Sequence, residues 1–208
     1  MTKLLYVKGS PRSSNSHSNK VAEAFLAARR TARLGLVIDT LDLWSEPLPE
    51  FDGDSAAAKM SFFGEGTLAG ARKTAWDEIV AIASRFSGAE EYLFTVPMWN
   101  GGIPYRLKLY IDIITQPGLL FGFDPAKGYS GLLKGKCATV IYTSGVYAPG
   151  APAAFGIDHH STYFDDWLRF IGITDISTVR FQPTLLTADY DGGLKAALNA
   201  AMAAVKKT

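Results

Sequence analysis

Residues 3–18, Lys3-Leu4-Leu5-Tyr6-Val7-Lys8-Gly9-Ser10-Pro11-Arg12-Ser13-Ser14-Asn15-Ser16-His17-Ser18, decide how this chain is read. The short apolar run at 4–7 suits a strand buried on both faces. It meets a hydroxyl-rich loop, and Asn19-Lys20-Val21-Ala22-Glu23-Ala24-Phe25 then opens a helix. A strand feeding such a loop into a helix N-terminus makes a seat for a phosphate, because free backbone N–H groups and the positive end of the helix dipole face the anion. Serine hydroxyls and the Arg12 guanidinium can add donors. An ordinary helix cap with surface serines would need the same residue types. The position of the loop, directly after a buried strand, favours the phosphate.

Outward from this stretch, strands and helices alternate. Residues 36–43 alternate through Val37, Leu41 and Leu43 and predict a second strand. Residues 45–66 are rich in Pro, Gly and Asp and predict an irregular excursion. Ala75, Trp76, Ile79, Ile82, Ala83 and Phe86 recur at helical spacing. Residues 92–98 predict a third strand, and Pro104 suits the first turn of a helix continued by Leu107, Tyr110, Ile111 and Ile114. Residues 117–135, glycine-rich with several aromatics, predict a flap. Residues 137–142 and 176–181 predict the fourth and fifth strands, separated by a helix through Tyr163, Phe164, Trp167, Leu168 and Ile171. Leu194, Ala197, Leu198, Ala201, Met202 and Val205 predict a closing amphipathic helix. This is the pattern of an α/β domain spanning 1–208. Its expected architecture is a flavodoxin-like, doubly wound, five-stranded parallel sheet in the order 2-1-3-4-5 with helices on both faces.

The formal net charge of +1, with acids and bases mixed along the chain, argues against a nucleic-acid partner. Cys137 is the only cysteine, which rules out an internal disulfide and fits a reducing compartment. No apolar run approaches a membrane span, and the N-terminal run is too short for a signal-peptide core. The expected location is the cytoplasm. His159-His160 suggests a metal only weakly, since adjacent residues point to different sides and no partner sits at ligand spacing, so no metal site is expected. Cys137 lies within an apolar strand and reads as a small core residue.

In this topology the loops after the first, third and fourth strands share one rim, where ligands of such sheets sit. The first loop has neither the Gly-x-x-x-x-Gly-Lys signature of a triphosphate site nor the Gly-x-Gly-x-x-Gly turn of a dinucleotide fold. Gly64-Glu65-Gly66-Thr67-Leu68-Ala69-Gly70 has the wrong spacing and follows no strand. The second loop is Pro97-Met98-Trp99-Asn100-Gly101-Gly102-Ile103-Pro104. Its glycines allow close backbone approach to a planar ligand, Asn100 carries a donor and an acceptor, and Met98 and Trp99 can cover a ring face. The third, Thr143-Ser144-Gly145-Val146-Tyr147-Ala148-Pro149-Gly150, offers small residues and one aromatic. Together they describe a phosphate at one end and a flat ring at the other, the shape of flavin mononucleotide (FMN).

These residues resemble the FMN-dependent NADH azoreductases, also described as quinone oxidoreductases, of the flavodoxin-like group. The resemblance rests on Lys8-Gly9-Ser10 with Ser16-His17-Ser18-Asn19, on Pro97-Met98-Trp99-Asn100 with Ile103-Pro104 and Leu107-Lys108, on Leu133-Lys134-Gly135-Lys136, on Thr143-Ser144 and on Phe170-Ile171-Gly172-Ile173-Thr174. It implies bound FMN, with NADH or NADPH as electron donor. Ser10, Ser16, His17 and Ser18 would hold the phosphate. Met98, Trp99, Asn100 and Gly101 would line the isoalloxazine, and Ser144, Gly145, Val146 and Tyr147 its pyrimidine side. It also implies a homodimer with both chains at each site, in which Trp99, Phe123 and Trp167 wall the pocket for small aromatic acceptors. The family often has Tyr and Asn-Phe where this chain has Trp99 and Asn100-Gly101, and Ser-Arg-Gly-Gly where it has Ser144-Gly145-Val146-Tyr147. A reshaped ring pocket is therefore expected.

The expected reaction is reduction of a quinone, azo or nitroaromatic compound by NAD(P)H through the flavin, with one stacking site serving both halves and ping-pong kinetics. No catalytic side chain is expected. An NAD(P)H-dependent FMN reductase that releases reduced flavin is an alternative, since Arg12 in a Gly-Ser-x-Arg loop also occurs there. A flavodoxin-type electron carrier is a second. The net charge, the Ser/Arg loop and the flap at 117–135 weigh against that carrier.

Overall fold

The computed structural model describes residues 2–205. In chain order the regular elements are β1 (Lys3–Lys8), α1 (His17–Ala32), β2 (Val37–Asp42), α2 (Gly53–Ser61), α3 (Ala71–Ser87), β3 (Glu91–Pro97), α4 (Tyr105–Ile114), β4 (Phe121–Asp124), β5 (Gly128–Gly131), β6 (Cys137–Thr143), α5 (Ser161–Phe170), β7 (Asp175–Phe181) and α6 (Tyr190–Ala204). Five strands form a parallel sheet in the order β2-β1-β3-β6-β7. Counted over the sheet strands alone this is the expected 2-1-3-4-5. The numbering jumps because residues 117–135 contain an antiparallel hairpin, β4–β5.

The β1 side chains explain why this run nucleates the sheet. Leu4, Leu5, Tyr6 and Val7 are all buried, and successive side chains leave the strand on opposite sides. Leu5 and Val7 join a core cluster with Ile79 and Phe86 of α3, Ile111 of α4 and Phe164 of α5. Leu4 and Tyr6 join a second cluster with Val21 and Phe25 of α1 and Ala197 and Ala201 of α6. Each fully buried Leu or Phe contributes about 1.5–3 kcal/mol, so β1, feeding both clusters, is where the two cores meet.

Two segments correct the expectation. The stretch at 45–66 is not wholly irregular: Asp52 accepts the N–H of Ser55 and starts α2. The flap at 117–135 is a hairpin whose root is fixed. Leu120 and Leu133 are buried, the Leu133 N–H donates to Ile171 O at 2.9 Å, and a Cβ on Gly131 would collide with the backbone of Ile171 and Gly172. Its far end is open, with Phe123 half-exposed against Tyr129 and Phe63.

Candidate functional site: a cleft on the sheet's carboxyl rim

The first loop is built around Asn19. Its side-chain Nδ2 donates to Ser13 O (3.2 Å), and its Oδ1 accepts from the Thr95 hydroxyl (3.1 Å). Its backbone N–H donates to Ser16 Oγ (3.2 Å), the N-cap of α1. One buried side chain thus ties loop, helix and β3 together. Gly9 passes so close to β3 that a Cβ would lie 2.5 Å from Thr95 O, so no other residue fits there. Trp44, after β2, donates its indole N–H to Gly9 O at 3.0 Å and closes the loop from the other side.

With the cap consuming the Asn19 N–H, those of His17 and Ser18 are left without an intrahelical acceptor. Ser10, Ser16 and Ser18 are buried, and the Ser16 and Ser18 hydroxyls lie 3.1 Å apart. His17 Nδ1 sits 3.0 Å from the Tyr190 hydroxyl, and its ring meets Phe181 edge-on. Burial, then the charges of Arg12 and Lys20, push the His17 pKa below its usual value and favour the neutral ring.

The second loop is a two-residue hairpin turn. Trp99 N–H donates to Gly102 O (2.9 Å), and Gly102 N–H returns a bond to Trp99 O (3.0 Å). Asn100 (φ +51°) and Gly101 (φ +82°) both occupy the left-handed region, as a type I′ turn requires. The turn is therefore made by Asn100-Gly101 rather than by the glycine pair. Met98 N–H donates to Thr143 O at 2.7 Å; the loop's N–H groups without an acceptor among the described residues are those of Asn100 and Gly101 at the turn's tip and of Ile103.

The third loop is braced by residues after β7. Thr184 N–H donates to Ser144 O (2.8 Å), and Leu185 N–H to Gly145 O (2.7 Å). Ser144 Oγ turns inward and donates to Tyr147 O at 2.5 Å.

These loops enclose a cleft of about 320 Å³. Of the expected residues, Ser10, Ser16 and His17 line one side of it, with Met98, Trp99, Ser144 and Gly145. Arg12 also lines it and is the only fully charged side chain that does. Ser18 stands behind Ser16, while Asn100 lines an adjoining slot that shares Trp99. Gly101, Val146 and Tyr147 are not part of the cleft wall. The sequence reading missed Pro97, Thr143, Thr184 and Leu185. Thr184 and Leu185 were findable, since they follow the fifth sheet strand and that end belongs to the same rim. The donor set fits FMN: hydroxyls, two free helix-start N–H groups and one guanidinium suit a phosphate, and Met98, Trp99 and Leu185 give apolar cover for a ring.

The chain matches the family described as flavodoxin-like fold over residues 2–205. A protein of Ruegeria pomeroyi named FMN-dependent NADH:quinone oxidoreductase is 57% identical over 204 residues, covering 98% of this chain and 100% of the relative. The chain belongs to the FMN-dependent NADH:quinone oxidoreductase family. Among solved structures, an azoreductase from Bacillus anthracis str. Sterne superposes with a TM-score of 0.90 at 27% identity and full coverage of both chains. An FMN-dependent NADH-azoreductase from Bacillus anthracis str. Ames Ancestor, solved in complex with FMN, superposes at 0.87 with 25% identity, covering 100% of this chain and 99% of the other.

Two residues expected in this oxidoreductase's acceptor pocket lie elsewhere within the single chain. Trp167 is a core residue, 5% exposed, packed on Phe94 and Phe164, with its indole N–H donating to Thr115 Oγ1 at 3.0 Å. Its rim faces a separate hollow with Phe51 and Lys59. Phe123 is on the hairpin, apart from Trp99. Cys137, expected as a core residue, is only partly buried at the start of β6, and desolvation still pushes its thiol up to about 11. Among the described residues no cluster of His, Cys, Asp or Glu could hold a metal ion, and no helix is long and apolar enough to cross a membrane.

Proposed function

We propose that this chain is an FMN-dependent NADH:quinone oxidoreductase that works as a single doubly wound domain, helices on both faces, within a cytoplasmic homodimer. The observation that carries the reading is the two-ended cleft, with Ser10, Arg12, Ser16 and His17 at its polar end and Met98, Trp99 and Leu185 at its apolar one. FMN, when bound, supplies the electron and hydride chemistry.

The protein binds and orients. Ser10 and Ser16 hydroxyls and the His17 and Ser18 N–H groups donate to the phosphate, Ser18 fixing the Ser16 rotor from behind. Trp99 and Met98 cover the ring and exclude water. Ser144 and Gly145 would hold the pyrimidine side, and the Asn100-Gly101 turn beside Trp99 would offer its bare N–H groups toward the ring's polar edge from outside the cleft wall. Each would stabilise negative charge gathering there on reduction. The Phe123 hairpin reaches toward the site of the second copy, with Trp167 behind it as packing. Donor and acceptor use one stacking position in turn, which gives ping-pong kinetics with quinones and with azo or nitroaromatic compounds.

The test is spectral. Purified protein should carry, or take up, FMN that stays bound through gel filtration, and anaerobic NADH or NADPH should bleach it. Parallel initial-rate lines with a quinone should follow. Colourless protein that FMN cannot reconstitute would overturn the reading, and intersecting lines would overturn the ping-pong order.

A further inference from the structure

Beside the cleft lies a slot of about 350 Å³ that shares Trp99 with it. Its walls are aromatic or aliphatic: Trp44, Trp99, Tyr105, Ile103 and Pro11, with Asn100 at the junction and no charged side chain in its lining. Two of the walls are mutually fixed. Trp44 and Tyr105 meet edge to face with centroids 5.3 Å apart and planes at 89°. Trp44 cannot swing away, since its indole N–H is held by Gly9 O. Arg106, next to Tyr105, clamps the segment after β2 to α4 by donating to Leu43 O and Glu46 O, both at 2.8 Å. Tyr105 is nevertheless 70% exposed and Trp99 47%. Large aromatic surfaces left open around a preformed concavity mark a ligand site more often than a packing accident.

The lining chemistry selects the occupant. A dinucleotide's pyrophosphate would need a cation; Arg12 lines the cleft and not the slot, and Arg106, beside the slot, is committed to Leu43 O and Glu46 O. A flat, uncharged, apolar group suits the walls. The Asn100 carboxamide makes no hydrogen bond within the described residues, stands where slot and cleft meet, and can donate to a carbonyl oxygen.

We propose that the slot is a subsite for the non-reacting half of a quinone acceptor: a fused ring or apolar substituent lies between Trp44, Tyr105 and Trp99 while the redox ring stacks, at the mouth of the cleft, on the flavin that the cleft would hold. The proposal rests on the oxidoreductase reading above and deepens it. The slot sets a preference for extended, uncharged quinones over single-ring or ionic acceptors, and Tyr105 acts as its outer wall. Opening that wall removes one aromatic contact, worth roughly three- to tenfold in affinity.

The experiment compares the holoenzyme with Tyr105→Ala and Tyr105→Phe. Trp44 is left intact because it holds Gly9. Tyr105→Ala should raise KM for 2-methyl-1,4-naphthoquinone roughly three- to tenfold while leaving KM for 1,4-benzoquinone and ferricyanide unchanged, and Tyr105→Phe should behave as wild type. Quenching of tryptophan fluorescence by 2-methyl-1,4-naphthoquinone, measured on flavin-free protein, should weaken in Tyr105→Ala alone. Equal KM changes for all acceptors, or quenching indifferent to Tyr105→Ala, would overturn the subsite. Absence of NADH oxidation with every acceptor would instead overturn the oxidoreductase reading, and the quenching arm would still decide the slot.

Discussion

His160 donates its Nε2–H to the carbonyl oxygen of Val96 at 2.7 Å, so a fully buried imidazole pins the strand end from which Pro97, Met98 and Trp99 depart. The ring meets Tyr142 edge-on, and its Nδ1 has no partner within the described residues. Burial pushes the His160 pKa down to about 4, against a weaker upward pull from the Val96 bond and Asp158. At neutral pH the ring is uncharged.

That sets a pH dependence of stability. The folded pKa lies below the unfolded value, so the unfolded chain takes up the proton first as pH falls. The contribution of the neutral ring is complete above about pH 6.5 and is lost progressively down to about pH 4. By pH 5 the loss is about 2 kcal/mol. Thermal melts should show His160→Gln losing less stability than wild type between pH 7 and pH 5. Identical losses in both would refute the assignment.

Glu91, at the start of β3, is held by Arg29 through two bonds (2.6 and 2.9 Å) and by Arg33 at 3.0 Å, and the Arg29 and Glu91 side chains are 6% and 8% exposed. Removing Glu91 takes two charge-assisted bonds from a buried guanidinium. Glu91→Ala should cost about 3–5 kcal/mol in urea unfolding, and replacing both Arg29 and Glu91 by apolar residues should recover most of it. A Glu91→Ala loss under 1 kcal/mol would show the pair to be solvated.

Arg12 is the cleft's only cation, and a charge-assisted bond to phosphate is worth about 1.5–3 kcal/mol. Arg12→Ala should weaken FMN binding at least about tenfold and flatten its salt dependence, while riboflavin, which lacks the phosphate, binds as before. Flavin titrations of the two ligands separate these outcomes. Parallel weakening of both would place Arg12 in loop folding rather than in phosphate recognition.

The turn at Asn100-Gly101 separates two neighbouring glycines. Gly101 has φ +82°, whereas Gly102 lacks a positive φ and a Cβ there would meet Trp99 O only at 3.9 Å. Gly101→Ala should cost about 1–2 kcal/mol and shift the visible spectrum of bound flavin, since the bare N–H groups move. Gly102→Ala should do neither. A spectrum unchanged in Gly101→Ala would detach the turn from the ring.

What could be read from sequence follows from how local each signal was. The four-residue run of β1 declares itself within one turn of chain, whereas α1, expected to open at Asn19, starts at His17 under the Ser16 cap. The helix α2 buries only Ser55 and Ala58, so its apolar period is too thin to see; its one signal was the Asp52 cap. The β4–β5 turn was also written locally, in Asp124, whose Oδ1 accepts from Ala126 and Lys127, and in Gly128 at φ +82°. Trp167 and Phe123 were harder, because which face of an aromatic is covered depends on elements far away in the chain. The brace of Thr184 on the third loop was likewise a tertiary fact.

Gly9 carries a final consequence for anyone recombining this protein with its relatives. Its N–H donates to Thr95 O at 3.0 Å, and the space for its missing side chain is filled by that same oxygen. Residues 9 and 95 are thus one module divided between two distant stretches of gene. A chimera whose crossover falls between them draws the two halves of this tight contact, beneath the cleft, from different parents. Crossovers placed after β3 keep the contact within one parent.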